Sequence, residues 1–191
     1  MAAANAAAVL PAGWLREPIG AAAAAHAILW TEGSDDARDG LHARFGGVPT
    51  FGVRRTLAAP VWVRPAERVE LTPGSRVFAV AAIARPDRFF EDVATAGWSV
   101  AGTQAFRDHH WFSREDVARI DRAALAAGAA AILTTDKDAV RLEAHTLSLP
   151  LARVPLVVTI EAGFDAWLTQ TLTIGPGTHS RSQRGPDLGK G

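Results

Sequence analysis

From Arg76 onward, apolar runs and amphipathic stretches alternate regularly. The pattern predicts a strand over 77–83, a helix over 86–96, a strand over 98–104 and a helix over 113–127. A strand over 130–134, a helix over 137–142 and a β-branched strand over 156–160 follow. Repeated strand–helix alternation makes parallel strands joined by right-handed crossovers, so the expected class is α/β. The helix over 113–127 carries its own start signal: Ser113 stands three residues before Asp116, and Glu115 and Asp116 load the first turn with negative charge. Val117, Ile120, Ala124 and Leu125 recur at helical spacing, so one face of that helix belongs on the sheet.

Before Arg76 the pattern is looser. Two prolines and a glycine over 10–18 predict an ordered loop, and the alanines over 21–25 a short helix. The apolar run over 27–31 fits a buried strand, and the acidic stretch over 34–40 a surface loop. Residues 49–54 and 59–71 alternate apolar and polar positions, notably Val61, Val63, Val69 and Leu71, as half-exposed strands or a ribbon do. The expected layout is a partial first lobe over 1–58, a β-ribbon linker over 59–75 and a carboxyl-terminal parallel-sheet lobe over 76–172. A disordered tail over 173–191 completes it, rich in Gly, Ser, Thr and Arg with little to bury.

Composition narrows the function. A chain of 191 residues, 48% hydrophobic and 21% charged, is ordinary for a folded protein. Twenty Lys and Arg balance twenty Asp and Glu, so the chain has no overall basic field, and nucleic acid is not an expected partner. There is no cysteine, which removes thiolate catalysis and Cys-ligated zinc. The Ala-rich start lacks both a basic stretch and the roughly 18–20 apolar residues that span a bilayer, so neither a signal peptide nor a membrane helix is expected there.

Ligands of open parallel sheets bind beyond the carboxyl ends of the strands, which directs attention to 84–88, 108–112 and 134–141. At the first place Arg85 and Arg88 flank a helix start at Pro86, where backbone N–H groups and guanidiniums suit a phosphate; they equally suit a solvated loop. At the second, Asp108 and His109 put a carboxylate beside an imidazole, the pairing that general acid–base chemistry near neutral pH uses. The bland alternative is a turn-capping Asp108 with the histidines filling the strand end. His110 is the weaker imidazole, and Trp111 and Phe112 read first as packing. At the third place Thr134 and Thr135 offer hydroxyls, Lys137 a phosphate-neutralising charge, and Asp136 or Asp138 a carboxylate to orient a ligand or bind a cation. A plain helix start with solvated charges stands beside that reading.

Four segments in register carry a resemblance. They are Leu10-Pro11-Ala12-Gly13 with Leu15-Arg16-Glu17-Pro18, and Ala81-Ala82-Ile83-Ala84-Arg85-Pro86 with Arg88-Phe89-Phe90. Phe106 with Asp108-His109-His110 and Phe112 comes third, then Thr134-Thr135-Asp136-Lys137-Asp138-Ala139-Val140. Over about residues 10–168 the chain resembles the carboxyl-terminal portion of the tetraacyldisaccharide 4'-kinases of lipid A biosynthesis. The resemblance implies two α/β lobes joined by a β-ribbon, with ATP and magnesium as cofactors. The γ-phosphate would pass to the 4'-hydroxyl of a tetraacyldisaccharide 1-phosphate lipid. The implied setting is peripheral, at the cytoplasmic face of the bacterial inner membrane, and the implied state is a monomer. His109 and Asp108 map onto the family's catalytic Asp-His motif; Thr134, Lys137, Asp138, Arg85 and Arg88 are the candidate cofactor contacts, and no metal ligand is assigned. The 191 residues contain no G-x-x-x-x-G-K-[ST], the phosphate-cradling loop of that family, so 1–58 is expected to begin inside the first lobe and the chain alone to transfer little phosphate. Two other readings compete: a metal-dependent phosphoesterase with Asp108, His109 and His110 as manganese ligands, and a noncatalytic lobe that binds a lipid saccharide or a partner protein.

Overall fold

The computed structural model describes residues 5–10, 13–31, 35–64 and 68–174; of the expected tail, 175–191 lie outside them. Along the chain the elements are β1 (Asn5–Val9), β2 (Gly13–Leu15), a 3-10 turn (Ile19–Ala24), β3 (Ile28–Trp30), α1 (Asp35–Phe45), β4 (Thr50–Leu57) and β5 (Val61–Trp62). Then come β6 (Arg76–Ala81), α2 (Pro86–Thr95), β7 (Ser99–Ala105), α3 (Arg114–Ala126), β8 (Ala131–Thr134), α4 (Asp136–Leu142), β9 (Leu151–Arg153), β10 (Leu156–Ile160) and α5 (Phe164–Ile174). By its contacts the chain divides into two compact units, 55–159 and 1–54 with 160–191.

The unit of 55–159 is built on a five-stranded sheet of order β5-β9-β8-β6-β7, parallel except for the edge strand β5, which runs antiparallel to β9. Central strand β6 explains why the sheet is covered on both faces. Phe78, Val80 and Ala82 join one buried cluster with Val117, Ile120 and Ala124 of α3 and Leu142 of α4. Val77, Ala79 and Ala81, the alternate positions, join another with Phe89 and Val93 of α2. A period of two along the strand thus feeds two cores, as an apolar strand in a parallel sheet must. Gly102 of β7 belongs to this packing: a Cβ there would stand 2.8 Å from the Phe78 ring. Gly128, at φ +64°, ends the segment after α3 in the left-handed region that glycine enters without penalty.

The chain leaves β6 for β7 over the α2 face, then returns over the α3 face to β8 on the other side of β6. The order therefore reverses between β6 and β8, and the crevice at the carboxyl ends of those strands is the topological switch point where such sheets bind ligands. The sequence places a strand over 156–160 but passes over β9, whose three residues are too few to show a period.

The unit of 1–54 with 160–191 departs further from expectation. The loop expected over 10–18 contains β2, which pairs parallel with β1. Helix α1 occupies the acidic stretch expected as a loop; its sequence, DDARDGLHARF, is polar nearly all round, so it shows no apolar stripe to read. Strand β3 is half-exposed rather than buried, with Leu29 turned outward beside Phe51 of β4 in a parallel pair. Glu161 joins this unit by accepting the Gly52 N–H at 2.7 Å and the Arg38 guanidinium at 2.7 Å, which together hold its carboxyl below the ordinary range. Phe51 packs edge-on against Phe164, with centroids 5.2 Å apart, and beside Trp167 at 5.5 Å. These contacts group α5 with the amino-terminal strands, whereas the sequence sets residues up to 172 with the second lobe.

Candidate active site

After β7 the chain stays tied to β6: the Phe106 N–H donates to the Ala81 carbonyl at 2.9 Å and the His109 N–H to the Ala82 carbonyl at 3.2 Å. A turn closes when the His110 N–H donates to the Arg107 carbonyl. Within it His109 takes φ +61°, and among the described residues no other non-glycine residue has a positive φ. A β-carbon in that region costs about 1–2 kcal/mol, so the surrounding hydrogen bonds must over-determine the turn. Its result is an imidazole standing out at the carboxyl edge of the sheet, with a side chain 69% exposed.

Lys137, at the start of α4, reaches the same place. Its Nζ donates to Asp108 Oδ1 at 3.2 Å and meets His109 Nε2 at 3.3 Å, while Asp108 Oδ2 stands 3.7 Å from that nitrogen. An ammonium only donates, so with a neutral ring Nε2 accepts this bond and the ring proton is on Nδ1, whereas a protonated ring meets the Asp108 carboxylate instead. The Asp108 carboxyl lies below its ordinary value of 3.8, chiefly through the Lys137 hydrogen bond. The charge of His109 when its ring is protonated, the charge of Lys137 and the His109 backbone N–H act the same way, and partial desolvation opposes them. The structure thus joins a carboxylate, an ammonium and an imidazole from two strand ends, with the ammonium between the other two.

His110 turns elsewhere. Its ring stacks on Phe106 at 4.8 Å and its Nε2 lies 2.9 Å from Asp116 Oδ2. Asp116 also closes the capping box of α3 with Ser113 and bonds Arg119. Its carboxyl is held far below the ordinary range, first by the Ser113 N–H and next by His110. Because His109 and His110 take different partners, Asp108, His109 and His110 do not form a ligand set. Among the described residues no group of three or more His, Asp or Glu side chains is placed to hold a metal ion, which removes the geometry of the manganese reading.

The remaining candidates divide by depth. Thr134 is fully buried and its hydroxyl donates to the Val80 carbonyl at 2.8 Å, so it faces the core and not the crevice. Asp138 is also fully buried; its Oδ2 accepts the Ala82 N–H and the Thr135 hydroxyl, each at 2.8 Å, and Arg141 lies 3.4 Å from its Oδ1. Thr135, not Asp136, caps α4 by accepting the Asp138 N–H, while Asp136 pairs with Arg153. Arg85 is exposed at the N-cap of α2 and makes no cap hydrogen bond, and Arg88 is half-buried in the first turn. Sequence reading assigns no role to Arg141. The side chain is only 14% exposed, and besides Asp138 it reaches the His110 carbonyl at 3.5 Å and the Trp111 ring at 5.6 Å. A cavity of about 420 Å³ walled by Arg114, Val117, Ala118, Asp121 and the 144–146 turn contains none of the site residues.

The family model of the tetraacyldisaccharide-1-P 4'-kinases matches residues 2–173. A tetraacyldisaccharide 4'-kinase of Geobacter metallireducens is 38% identical over 136 residues, 70% of this chain and 39% of its own length. One of Rhodopseudomonas palustris is 36% identical over 163 residues, 84% of this chain and 45% of its own length. The chain thus spans less than half the length of these relatives. Among solved structures, LpxK of Aquifex aeolicus, described as an apo form in complex with ATP, shares the fold at a TM-score of 0.53 and 22% identity, over 84% of this chain and 46% of that one.

Proposed function

Because the chain belongs to the tetraacyldisaccharide-1-P 4'-kinase family, we propose that its α/β unit supplies acid–base chemistry for moving the ATP γ-phosphate onto the 4'-hydroxyl of a tetraacyldisaccharide 1-phosphate. The observation that carries this reading is the Asp108–Lys137–His109 cluster beside the switch point of the sheet. His109 accepts the proton of the sugar hydroxyl at Nε2. Asp108, ionised well into acid, keeps a negative charge near the ring as it becomes an imidazolium. Lys137 occupies Nε2 in this structure, so an anionic substrate group must draw the ammonium away before the ring can act. Lys137 and Arg85 are the proposed anion contacts at the rim, with Arg88 behind them. Thr134 and Asp138, both inside, support the rim from below.

ATP and magnesium are the proposed cofactors. The nucleotide phosphates and the ion need a backbone cradle and carboxylates, and the described residues do not make one. The role proposed for this chain is confined to the hydroxyl and its proton. Among the described residues no helix is long and apolar enough to cross a membrane. A peripheral monomer at the cytoplasmic face of the inner membrane is proposed because the substrate is a lipid. Nuclear magnetic resonance of the chain, titrated with tetraacyldisaccharide 1-phosphate in detergent micelles against empty micelles, tests the reading. Shifts at His109 and Lys137 are expected with the lipid alone, and their absence would overturn the assignment.

A further inference from the structure

Asp138 is an unusual place for a carboxylate: fully buried, in a chain whose mechanism as proposed gives it no proton to carry. Its geometry points to another task. Ala82 directly follows β6 and is gripped on both sides. Its N–H donates to Asp138 Oδ2 at 2.8 Å, and its carbonyl accepts the His109 N–H at 3.2 Å. One residue of backbone therefore separates the buried carboxylate from the strained turn that presents the imidazole. The carboxylate is itself fixed by the Thr135 hydroxyl at 2.8 Å and flanked by Arg141, whose guanidinium also reaches the His110 carbonyl on the far side of the same turn.

We infer that Asp138 is a positioning residue for His109: through Ala82 and Arg141 it holds the 107–110 turn in the conformation that keeps His109 at positive φ. A charge-assisted hydrogen bond to a buried backbone N–H is strong, and a half-satisfied buried network is costly, so the arrangement has one well-defined state. The segments after β6 and β8 meet at this carboxylate, and the turn after β7 is joined to it through Ala82 and Arg141, which sets the imidazole to a position that an exposed turn would not keep unaided. Asp138 touches no ligand in this account, and the inference rests on His109 being the reacting group only for its catalytic meaning.

The test reads the turn directly. In the 191-residue chain, Asp138→Ala and the better space-filling Asp138→Leu should remain folded by circular dichroism. Both should shift the amide–α-proton coupling and the Cβ resonance of His109 from positive-φ to ordinary values, while Asp138→Asn, which keeps an acceptor for the Ala82 N–H, restores them. A purely structural role would lower the melting temperature and leave the His109 signals alone, and that result would overturn the inference. If neither apolar variant folds, hydrogen exchange of the wild-type chain decides. The Ala82 and His109 amides must then open together, and a His109 amide that exchanges much faster than that of Ala82 would refute the coupling. These readouts need no kinase activity. A failed phosphate-transfer assay would count against the proposed function, and an unmoved His109 against the positioning role.

Discussion

The Nζ of Lys137 lies 3.3 Å from the Nε2 of His109, so the atom proposed to take the substrate proton is already occupied by a donor from the first turn of α4. The same ammonium is the main reason that the Asp108 carboxyl titrates low. Replacing Lys137 with Gln should therefore raise the pKa of Asp108 toward 3.8, because the largest lowering cause is removed. Carbon-13 titration of the Asp108 carboxyl checks this, and an unmoved titration would place Lys137 elsewhere in solution.

Asp116 sets the acid limit of α3. Its folded pKa is depressed, so its contribution to stability is complete above the ordinary carboxylate value and disappears as pH falls through the depressed one. Thermal melts from about pH 7 down to about pH 2 should show wild type losing stability below roughly pH 4, with a shallower loss in Asp116→Asn. The variant starts lower at neutral pH because it breaks the pairing with His110 and Arg119. Equal slopes would mean that the His110 and Ser113 contacts contribute nothing.

The close approach of β7 to β6 leaves no room at Gly102, where a Cβ would stand 2.8 Å and 3.1 Å from two atoms of the buried Phe78 ring. Gly102→Ala should cost about 1–3 kcal/mol, the usual penalty for overpacking a filled core. Urea unfolding measures it, and an unchanged midpoint would show that the ring has space to yield.

Legibility in the sequence followed burial. In the unit of 55–159, β6 and β8 are predictable as apolar runs buried on both faces, α2 and α3 because each buries a regular stripe, and the start of α3 is written in Ser113 and Asp116. Helix α1 has no stripe and β9 is shorter than a period, whereas β5 falls within the alternating 59–71 stretch expected as half-exposed strand. The strand-end rule directs attention to 108–112 and 134–141, which do converge, but which side chains face the crevice depends on helix phase. Asp138 and Thr134 turn inward to Ala82 and Val80, and Lys137 turns out to His109. Nor does local sequence show that Glu161 bonds the Gly52 N–H, since that contact joins residues more than a hundred positions apart.

The central claim is that His109 takes the proton in a phosphate transfer. Because the chain spans less than half the length of its relatives, the direct measurement joins residues 1–191 behind the amino-terminal part of the Geobacter metallireducens relative and follows transfer from labelled ATP to tetraacyldisaccharide 1-phosphate. With activity established for the chimera, His109→Ala should lower kcat by about 10²–10⁴-fold and leave KM nearly unchanged, as expected for loss of a general base. A His109→Ala chimera that turns over at the parent rate would contradict the account.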